Sequence, residues 1–339
     1  MPEIDKLAIN AKFQTDLDKI ATDLIAAYAL KFGQNVENLN SPLHRWLDFR
    51  FRFVVPQPRQ VVFSDRFPKT DLPDDARAGL DHFIRLIQQG SDINPYQGRG
   101  LILRNDTSGE KKDARTDLLW ADWGVFHFHL TAAPIPDNQF FSQPADYLAF
   151  CLVDRDVIAF IDVLPHPDKQ GFANPDLMEI VHRNWPAYLE QFAAKGIVAG
   201  PKGSRTQEEV HALRTHGICS LLTFGDKVYV APGMGITSAS TSTKVSLVAN
   251  LVRRYIDELA EMVCSPTGQF QAELSCHGVS EPRFSLALTP GGLAVYEEVT
   301  TIAFLLPKRR DGGESTFLEK IRELIAPDWA VAHLVSATQ

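Results

Sequence analysis

Two histidines separated by one residue are the clearest chemical feature of this sequence. His127 and His129 stand in the apolar run VFHFHL at residues 125 to 130. On a β-strand, successive side chains point to opposite faces of the sheet, so both imidazoles share one face and Phe128 lies on the other. An imidazole either ligates a divalent metal ion or exchanges a proton near neutral pH. The run therefore predicts a strand with chemistry on one face and hydrophobic core on the other.

Two further polar groups belong to the next part of the chain. Two apolar runs, 147 to 153 and 157 to 166, flank a turn-forming segment at 154 to 156, and the second run contains Asp162 and His166. This pattern predicts a hairpin that lies beside the two-histidine strand. We therefore predict one catalytic site, which consists of His127, His129, Asp162 and His166.

These four side chains fit two kinds of chemistry. His127, His129 and His166 are candidate ligands of a divalent metal ion, with Asp162 as a fourth ligand. Without a metal, one histidine accepts a proton, another donates it, and arginines stabilise the charge that develops on a phosphate. A third interpretation makes the histidines hydrogen-bonded residues of the sheet that take part in no reaction. No motif assigns a cofactor other than a divalent metal ion.

Three polar residues close to these runs are candidates for orienting the histidines. Asp117 and Asp122 flank the short run LLW, and either carboxylate could hold an imidazole in place by a hydrogen bond. Asp117 also has the position of a residue that begins a helix. His182 is predicted to lie at a helix end, where the helix dipole favours a protonated histidine, and capping is its favoured role.

A basic segment supplies candidate substrate-binding residues. Residues 41 to 60 contain four arginines and one aspartate, a local charge of +3 in an acidic protein. Residues 46 to 55 alternate between apolar and polar side chains, which predicts a strand with Arg50 and Arg52 on its wet face. A solvated strand face is the simpler explanation of this charge. Contact with the phosphates of RNA is the functional one.

Two loops are also candidates for contact with a ligand. Residues 91 to 116 contain turn-forming residues and charges, and their basic side chains, which include Arg99 and Arg115, are placed to border the site. The sequence GMGITS at residues 233 to 238 lies between a predicted strand and a predicted helix, where backbone N–H groups can bind phosphate. It matches neither of the common glycine-rich nucleotide motifs, so a plain connecting loop is the favoured interpretation.

The central strands resemble the core of the mRNA-interferase toxins of the RelE/HigB superfamily. In that core, consecutive antiparallel strands end in a polar segment with a histidine or tyrosine, and the matching residues are 123 to 130, 147 to 153 and 157 to 166. The resemblance implies cleavage of RNA, which supplies its own nucleophile. The strings DWGVFHFHL at 122 to 130 and HRNWP at 182 to 186 resemble a bacterial family with a DWGIHHLHL-type motif, which implies no activity. The fragment FHLT also resembles one of the two motifs of the two-histidine phosphoesterases.

The surrounding periodicities predict an α+β fold of antiparallel or mixed sheets covered by amphipathic helices, in two domains. Helices are predicted at residues 5 to 30, 74 to 89, 176 to 183, 187 to 195, 206 to 217, 243 to 263 and 316 to 327. Further strands are predicted at residues 61 to 63, 218 to 224, 227 to 231, 269 to 276, 283 to 289, 293 to 299 and 301 to 306. A loop rich in glycine and proline at 196 to 205 suggests a boundary. The predicted division is an N-terminal helical element at 1 to 40, a central domain at 41 to 200 and a C-terminal domain at 201 to 339.

Composition narrows the class of protein. With 45% hydrophobic and 22% charged residues, the chain is typical of a globular protein, and its net charge of −8 supplies no global attraction for a polyanion. The N-terminus lacks the basic and apolar regions of a signal peptide, and no apolar run is long enough to span a membrane. The four cysteines lack metal-binding spacing, which favours reduced thiols. These features predict a cytoplasmic protein without a membrane partner.

The leading functional hypothesis is a bacterial phosphodiester hydrolase that acts on RNA, as a toxin or a defence effector. One alternative is a metal-dependent hydrolase of a small molecule that uses the same residues. Another is a non-enzymatic interaction protein. In that case the apolar stripe of the helix at 5 to 30 would form the seam of a homo-oligomer, whereas packing on the body of the protein is the favoured role of this stripe.

Overall fold

The chain divides into two compact units in a computed structural model. The structure describes residues 5–33, 41–103, 116–168, 171–197, 205–279, 281–309 and 314–337. The central unit is Phe51–Lys244, and the terminal unit joins Met1–Arg50 to Val245–Gln339. The fold is α+β, as the sequence predicts.

The helices and strands alternate irregularly along the chain. The helices are α1 (Lys6–Ala27), α2 (Pro42–Arg52), α3 (Asp74–Gln89), α4 (Leu118–Trp123), α5 (Asp176–Asn184), α6 (Pro186–Glu190), α7 (Gln207–Thr215), α8 (Thr243–Cys264), α9 (Gln269–Cys276), α10 (Phe317–Ile325) and α11 (Asp328–Ala337). The strands are β1 (Gln60–Phe63), β2 (Phe126–His129), β3 (Tyr147–Val153), β4 (Val157–Pro165), β5 (Leu222–Phe224), β6 (Lys227–Tyr229), β7 (Phe284–Thr289), β8 (Gly292–Glu297) and β9 (Ile302–Leu305). Among the helices that the structure describes, none combines the length and apolar composition needed to cross a membrane.

A four-stranded mixed sheet lies in the central unit. Its strand order is β1-β4-β3-β2, in which β1 runs parallel to β4 and the other neighbours are antiparallel. The predicted hairpin is confirmed, because β3 and β4 pair around residues 154 to 156, and β2 lies beside β3. A register shift between Phe150 and Cys151 marks an irregularity of the bulge type in this hairpin. The two-histidine strand is therefore an edge of the sheet.

The two faces of β2 differ in burial, as its alternation predicts. Phe128 is fully buried, and its ring centroid lies 4.9 Å from that of Phe83 on α3. His127 and His129 are only half-buried. The histidine face nevertheless continues into a second core, in which Phe150 belongs to one buried cluster with side chains of α5. Core therefore covers both faces of the sheet, and the imidazoles lie at the border of one core.

Residues 46 to 55 form no strand, so this prediction was wrong. Pro42–Arg52 form helix α2, which begins with the Ser-Pro pair that is common at helix starts. Phe49 is buried on this helix, but Arg45 and Asp48 are buried as well. Because the polar residues do not face water, the alternation of apolar and charged residues did not indicate a half-exposed strand.

The C-terminal part of the chain contains one similar error. Residues 269 to 276 form helix α9 rather than a strand. Phe270 and Leu274 are buried on it, and residues four apart share one face of a helix. The capping boxes predicted at Thr206 and Thr316 are both present and begin helices α7 and α10.

A three-stranded antiparallel sheet, in the order β7-β8-β9, belongs to the terminal unit. Helix α1 packs against β7. Its stripe of Phe13, Leu17 and Leu24 is buried, and the Asp16 carboxylate accepts a hydrogen bond from the backbone N–H of Leu286 at 2.9 Å. The apolar stripe of this helix therefore packs on its own chain. The seam of a homo-oligomer remains a hypothesis without support from this packing.

The two units differ from the predicted division at 1 to 40, 41 to 200 and 201 to 339. Contact between α1 and β7 joins the N-terminal segment to the C-terminal one. Helix α7 belongs to the central unit, where Arg214 forms a buried ion pair with Asp122 of α4. A composition rich in glycine and proline marks a loop, whereas only tertiary contacts decide which elements share a core.

Candidate functional site

Strand β2 and the end of β4 bring three of the four predicted residues together. His127 and His129 lie on β2, and His166 follows β4 directly. The rings of His129 and His166 are stacked, with centroids 5.5 Å apart and an angle of 25° between their planes. The ring of Phe172 contacts both His127, at 4.9 Å between centroids, and His166, at 6.0 Å. We call His127, His129 and His166 the histidine cluster.

His127 lies beside a carboxylate. Oδ2 of Asp117 is 3.3 Å from Nδ1 of His127, outside hydrogen-bond geometry. Burial lowers the pKa of His127, Asp117 opposes this effect, and the positive charge of Arg52 adds to it. The ring is therefore neutral at pH 7. Since the carboxylate favours a proton on Nδ1, the lone pair of Nε2 is left to accept another proton.

His129 has the opposite arrangement of ring protons. Its Nδ1 accepts a hydrogen bond from the backbone N–H of Ala145 at 3.2 Å. A neutral imidazole whose Nδ1 is an acceptor carries its proton on Nε2. Burial, together with the neighbouring His127 and His166, lowers the pKa of His129 to about 4. His129 is therefore a neutral hydrogen-bond donor at pH 7.

His166 is the exposed member of the histidine cluster. Its Nδ1 lies 3.0 Å from the carbonyl oxygen of Pro167, which requires a proton on Nδ1. Backbone groups thus constrain Nδ1 of both stacked rings, as an acceptor in His129 and as a donor in His166. Their Nε2 atoms are left for a ligand.

Asp162 lies apart from the histidine cluster. It is buried, and its carboxylate pairs with Lys69 at 2.5 Å and with Arg66 at 3.5 Å. Across the sheet, Asp162 pairs with Phe150, and Phe150 pairs with His127. The backbones of Asp162 and His127 are therefore two strand spacings apart, about 10 Å. Within the part of the chain that the structure describes, no three His, Cys, Asp or Glu side chains are arranged to hold a metal ion.

The three residues predicted to orient the histidines have different roles. The Asp117 side chain accepts hydrogen bonds from the first turn of α4, so it caps this helix in addition to facing His127. Asp122 pairs with Arg214 at 2.8 Å and contacts no histidine of the cluster. His182 stacks on Phe224 with centroids 4.5 Å apart, which is a packing role.

The predicted arginines are not equivalent. Arg50 and Arg52 are two residues apart on a helix, roughly 200° around its axis, so they share no face. Arg50 donates hydrogen bonds to the backbone and side chain of Glu323. Arg52 is buried and lowers the pKa of His127, because its charge lies near that ring. Arg115 lies outside the described residues. Arg99, from the loop predicted to border the site, is exposed and lowers the pKa of His129 in the same way.

Sequence reasoning missed two residues of this site. Phe172 lies in a short 3-10 turn, Gly171–Ala173, and no spacing in the sequence connects it to β2. Gly98 faces His127, since a Cβ atom at this position would lie 3.3 Å from Nε2. Its φ of −62° is ordinary, so the backbone conformation does not require glycine there. A larger residue at this position would crowd the imidazole of His127.

The glycine-rich loop at residues 233 to 238 has a structural role, which is the interpretation that its sequence favours. The backbone N–H of Gly233 donates to the carbonyl of Asp122 at 2.9 Å, and that of Gly235 donates to the carbonyl of Ala121 at 3.0 Å. Both carbonyls belong to the last turn of α4, where helix carbonyls lack partners within the helix. The loop therefore caps the end of α4 and does not offer these N–H groups to a phosphate.

The cluster combines groups of complementary function. His127 presents a proton acceptor, His129 presents a donor, and Arg52 and Arg99 bring positive charge that Asp117 opposes. Such a set can accept a proton, donate a hydrogen bond and attract an anion.

The chain matches no known family model, and it has no detectable similarity to a curated protein or to a solved structure.

Proposed function

We propose that the histidine cluster is the acid–base site of a phosphodiester hydrolase that acts on RNA. The observation that carries this proposal is the neutral His127 beside Asp117, next to a second neutral histidine with the opposite ring proton. A carboxylate next to Nδ1 keeps an imidazole in the tautomer that accepts a proton at Nε2, as in other carboxylate–histidine pairs of enzymes.

In the proposed reaction, Nε2 of His127 takes the proton of a ribose 2′-hydroxyl. The 2′-oxygen attacks the adjacent phosphorus, and the bond from phosphorus to the 5′-oxygen breaks. Protonated His166 gives its proton to this leaving oxygen, which yields a 2′,3′-cyclic phosphate and a 5′-hydroxyl. The Nε2–H of His129 donates to a non-bridging oxygen, where negative charge increases. Arg52 and Arg99 attract the phosphate.

The pH dependence of cleavage tests these roles. The lowered pKa of His127 keeps the base neutral below pH 6.5, the ordinary value of a histidine, so activity should persist there and fall only at lower pH. His127→Ala should reduce the rate about 100-fold to 10,000-fold. His82→Ala is the matched control, since His82 is half-buried in the same unit and hydrogen-bonds to Tyr96. Equal loss of activity in both variants contradicts the proposal.

A metal-dependent hydrolase of a small molecule is the second candidate. It is supported by the Nε2 lone pairs of His127 and His166, which have no hydrogen-bond partner among the described residues, whereas His129 carries its proton on Nε2 and would not be a ligand. In this case the purified protein should contain zinc or manganese, and protons should compete with the metal at low pH. Activity would then be lost on chelation and restored by the metal.

The proposed setting is the bacterial cytoplasm, with the protein as a toxin or a defence effector. The setting is supported by Cys151, Cys219 and Cys264, which are free thiols. The role as a toxin or effector rests on the resemblance of the central strands to mRNA interferases. RNA as partner is supported by the arginines near the histidine cluster rather than by a basic strand.

A further inference from the structure

Arg214 is buried next to Phe172, whose ring contacts the histidine cluster. It is 2% exposed, and its Nε donates to Oδ2 of Asp122 at 2.8 Å. Its Nη1 donates to the carbonyl of Phe172 at 2.6 Å, and its guanidinium lies 4.1 Å from the ring centroid of Trp123. One side chain of α7 thus ties α4 to the 3-10 turn that carries Phe172.

The ring of Phe172 forms one side of the histidine cluster. Its half-buried ring contacts His127 and His166, and it also lies 6.4 Å from the ring of Phe150 in the core below. Its backbone carbonyl accepts the hydrogen bond from Arg214. A planar guanidinium with several fixed donors is suited to hold the backbone of such a short turn in place.

Stability of the fold does not by itself explain why the ion pair between Arg214 and Asp122 is buried. Replacing a buried ion pair by apolar residues is often neutral or stabilising, because both charges lose their hydration on burial. Among the described residues, the buried Nη2 of Arg214 has no hydrogen-bond partner, which adds to this cost. A positional role accounts for a pair that carries such a cost.

We propose that Arg214 is a positioning residue, which holds the carbonyl of Phe172 and so keeps its ring closed against His127 and His166. Asp122, in turn, fixes the guanidinium of Arg214. This inference rests on the proposed function only in taking the histidine cluster as the functional site. A closed ring keeps water from His127 and limits the space beside it.

Titration of the His127 ring by NMR tests this inference without an activity assay. Phe172→Ala should move the midpoint of His127 upward by about one pH unit, toward the ordinary value, because water reaches the ring. The double variant Asp122→Asn with Arg214→Gln should move it in the same direction. It leaves no unpaired charge, and the shorter amide cannot bond both partners. The charged and titratable groups near His127 are unchanged in both variants: Asp117, Arg52 and His166 from other elements, and His129 from the same strand.

Phe224→Ala is the matched control, since this ring stacks on His182 in the same unit. It should leave the midpoint of His127 at the wild-type value. A folded double variant with an unshifted His127 would overturn the role of Arg214, and so would a shift as large in the control. If Arg214→Lys, which keeps the charge but loses the planar guanidinium whose separate nitrogens bond Asp122 and Phe172, also shifts His127, the role of the bond to Phe172 is supported. Wild-type protein that cleaves no RNA, but whose variants shift as expected, would contradict the proposed function and leave this inference standing.

Discussion

The surroundings of His129 decide its protonation. The lowered pKa of this ring, about 4, results chiefly from burial and the neighbouring histidines, whereas in the unfolded chain the ring titrates near 6.5. Between these two values the unfolded state binds a proton that the folded state does not bind. Lowering the pH therefore favours the unfolded chain in this range. Above pH 6.5 the ring is neutral in both states and contributes no pH dependence.

His129→Gln should make the free energy of unfolding less dependent on pH between about 4 and 6.5. Glutamine does not titrate, so the part of the acid destabilisation that His129 causes is lost. Urea unfolding of both proteins at several pH values in this range measures the difference, since the carboxylates titrate alike in each. Parallel curves for the wild type and the variant would show that His129 is not held neutral by the fold.

Gly98→Ala should lower activity about tenfold or more with little change in the unfolding midpoint. The backbone at this position suits alanine, whereas the new Cβ would lie 3.3 Å from Nε2 of His127 and displace the ring or block its lone pair. A displacement of an ångström at a reacting group is enough for such a loss. Cleavage rates and thermal unfolding give the two readouts. An unchanged rate would mean that Nε2 of His127 does not meet the substrate from this side.

At the scale of elements, period-two alternation was reliable for β2 and misleading for α2. Strand β2 has phenylalanines in one core and imidazoles at the border of another, so its alternation reflects two different environments. In α2 the charged residues Arg45, Asp48 and Arg52 are buried beside the aromatic ones, and a pattern of polar and apolar residues then no longer reports exposure. The sequence contains no signal that distinguishes a buried arginine from a wet one.

Arg99 is exposed near the histidine cluster, whereas Arg50 is hydrogen-bonded to Glu323. Their replacement should therefore affect the salt dependence of RNA binding differently. Arg99→Gln should reduce the slope of the RNA affinity against salt concentration by about one, because one cation near the phosphates is lost. Arg50→Gln should leave the slope unchanged, since Glu323 holds Arg50 by hydrogen bonds. Binding of a short RNA measured from low to moderate salt checks both variants together. A change of slope in Arg50→Gln alone would return the RNA-binding role to the segment that contains α2.

At the scale of the whole molecule, the sequence predicts the α+β class, the central hairpin and the face of the imidazoles. These depend on short-range alternation and on turn residues, which are local properties. The contact of Phe172 with His127, the N–H of Ala145 at His129 and the ion pair of Arg214 with Asp122 depend on segments far apart in the chain. No single-sequence pattern encodes such contacts. The union of residues 1 to 50 with residues 245 to 339 has the same cause.

An acidic molecule with a local positive site can still select an anionic substrate. The net charge of −8 opposes RNA at long range, so the proposed recognition would depend on short-range contacts at the histidine cluster. We propose that this cluster cleaves RNA by proton transfer, with the 2′-hydroxyl as nucleophile.

Cleavage of matched oligonucleotides by chelator-treated, metal-free protein tests this claim most directly. One substrate is an all-ribose strand, and the other carries a single 2′-deoxy nucleotide at the cleaved position. Cleavage of the ribose strand to a 2′,3′-cyclic phosphate, with no cleavage at the deoxy position, is the expected result. Equal cleavage of both strands, or activity that returns only with added metal, would contradict the account.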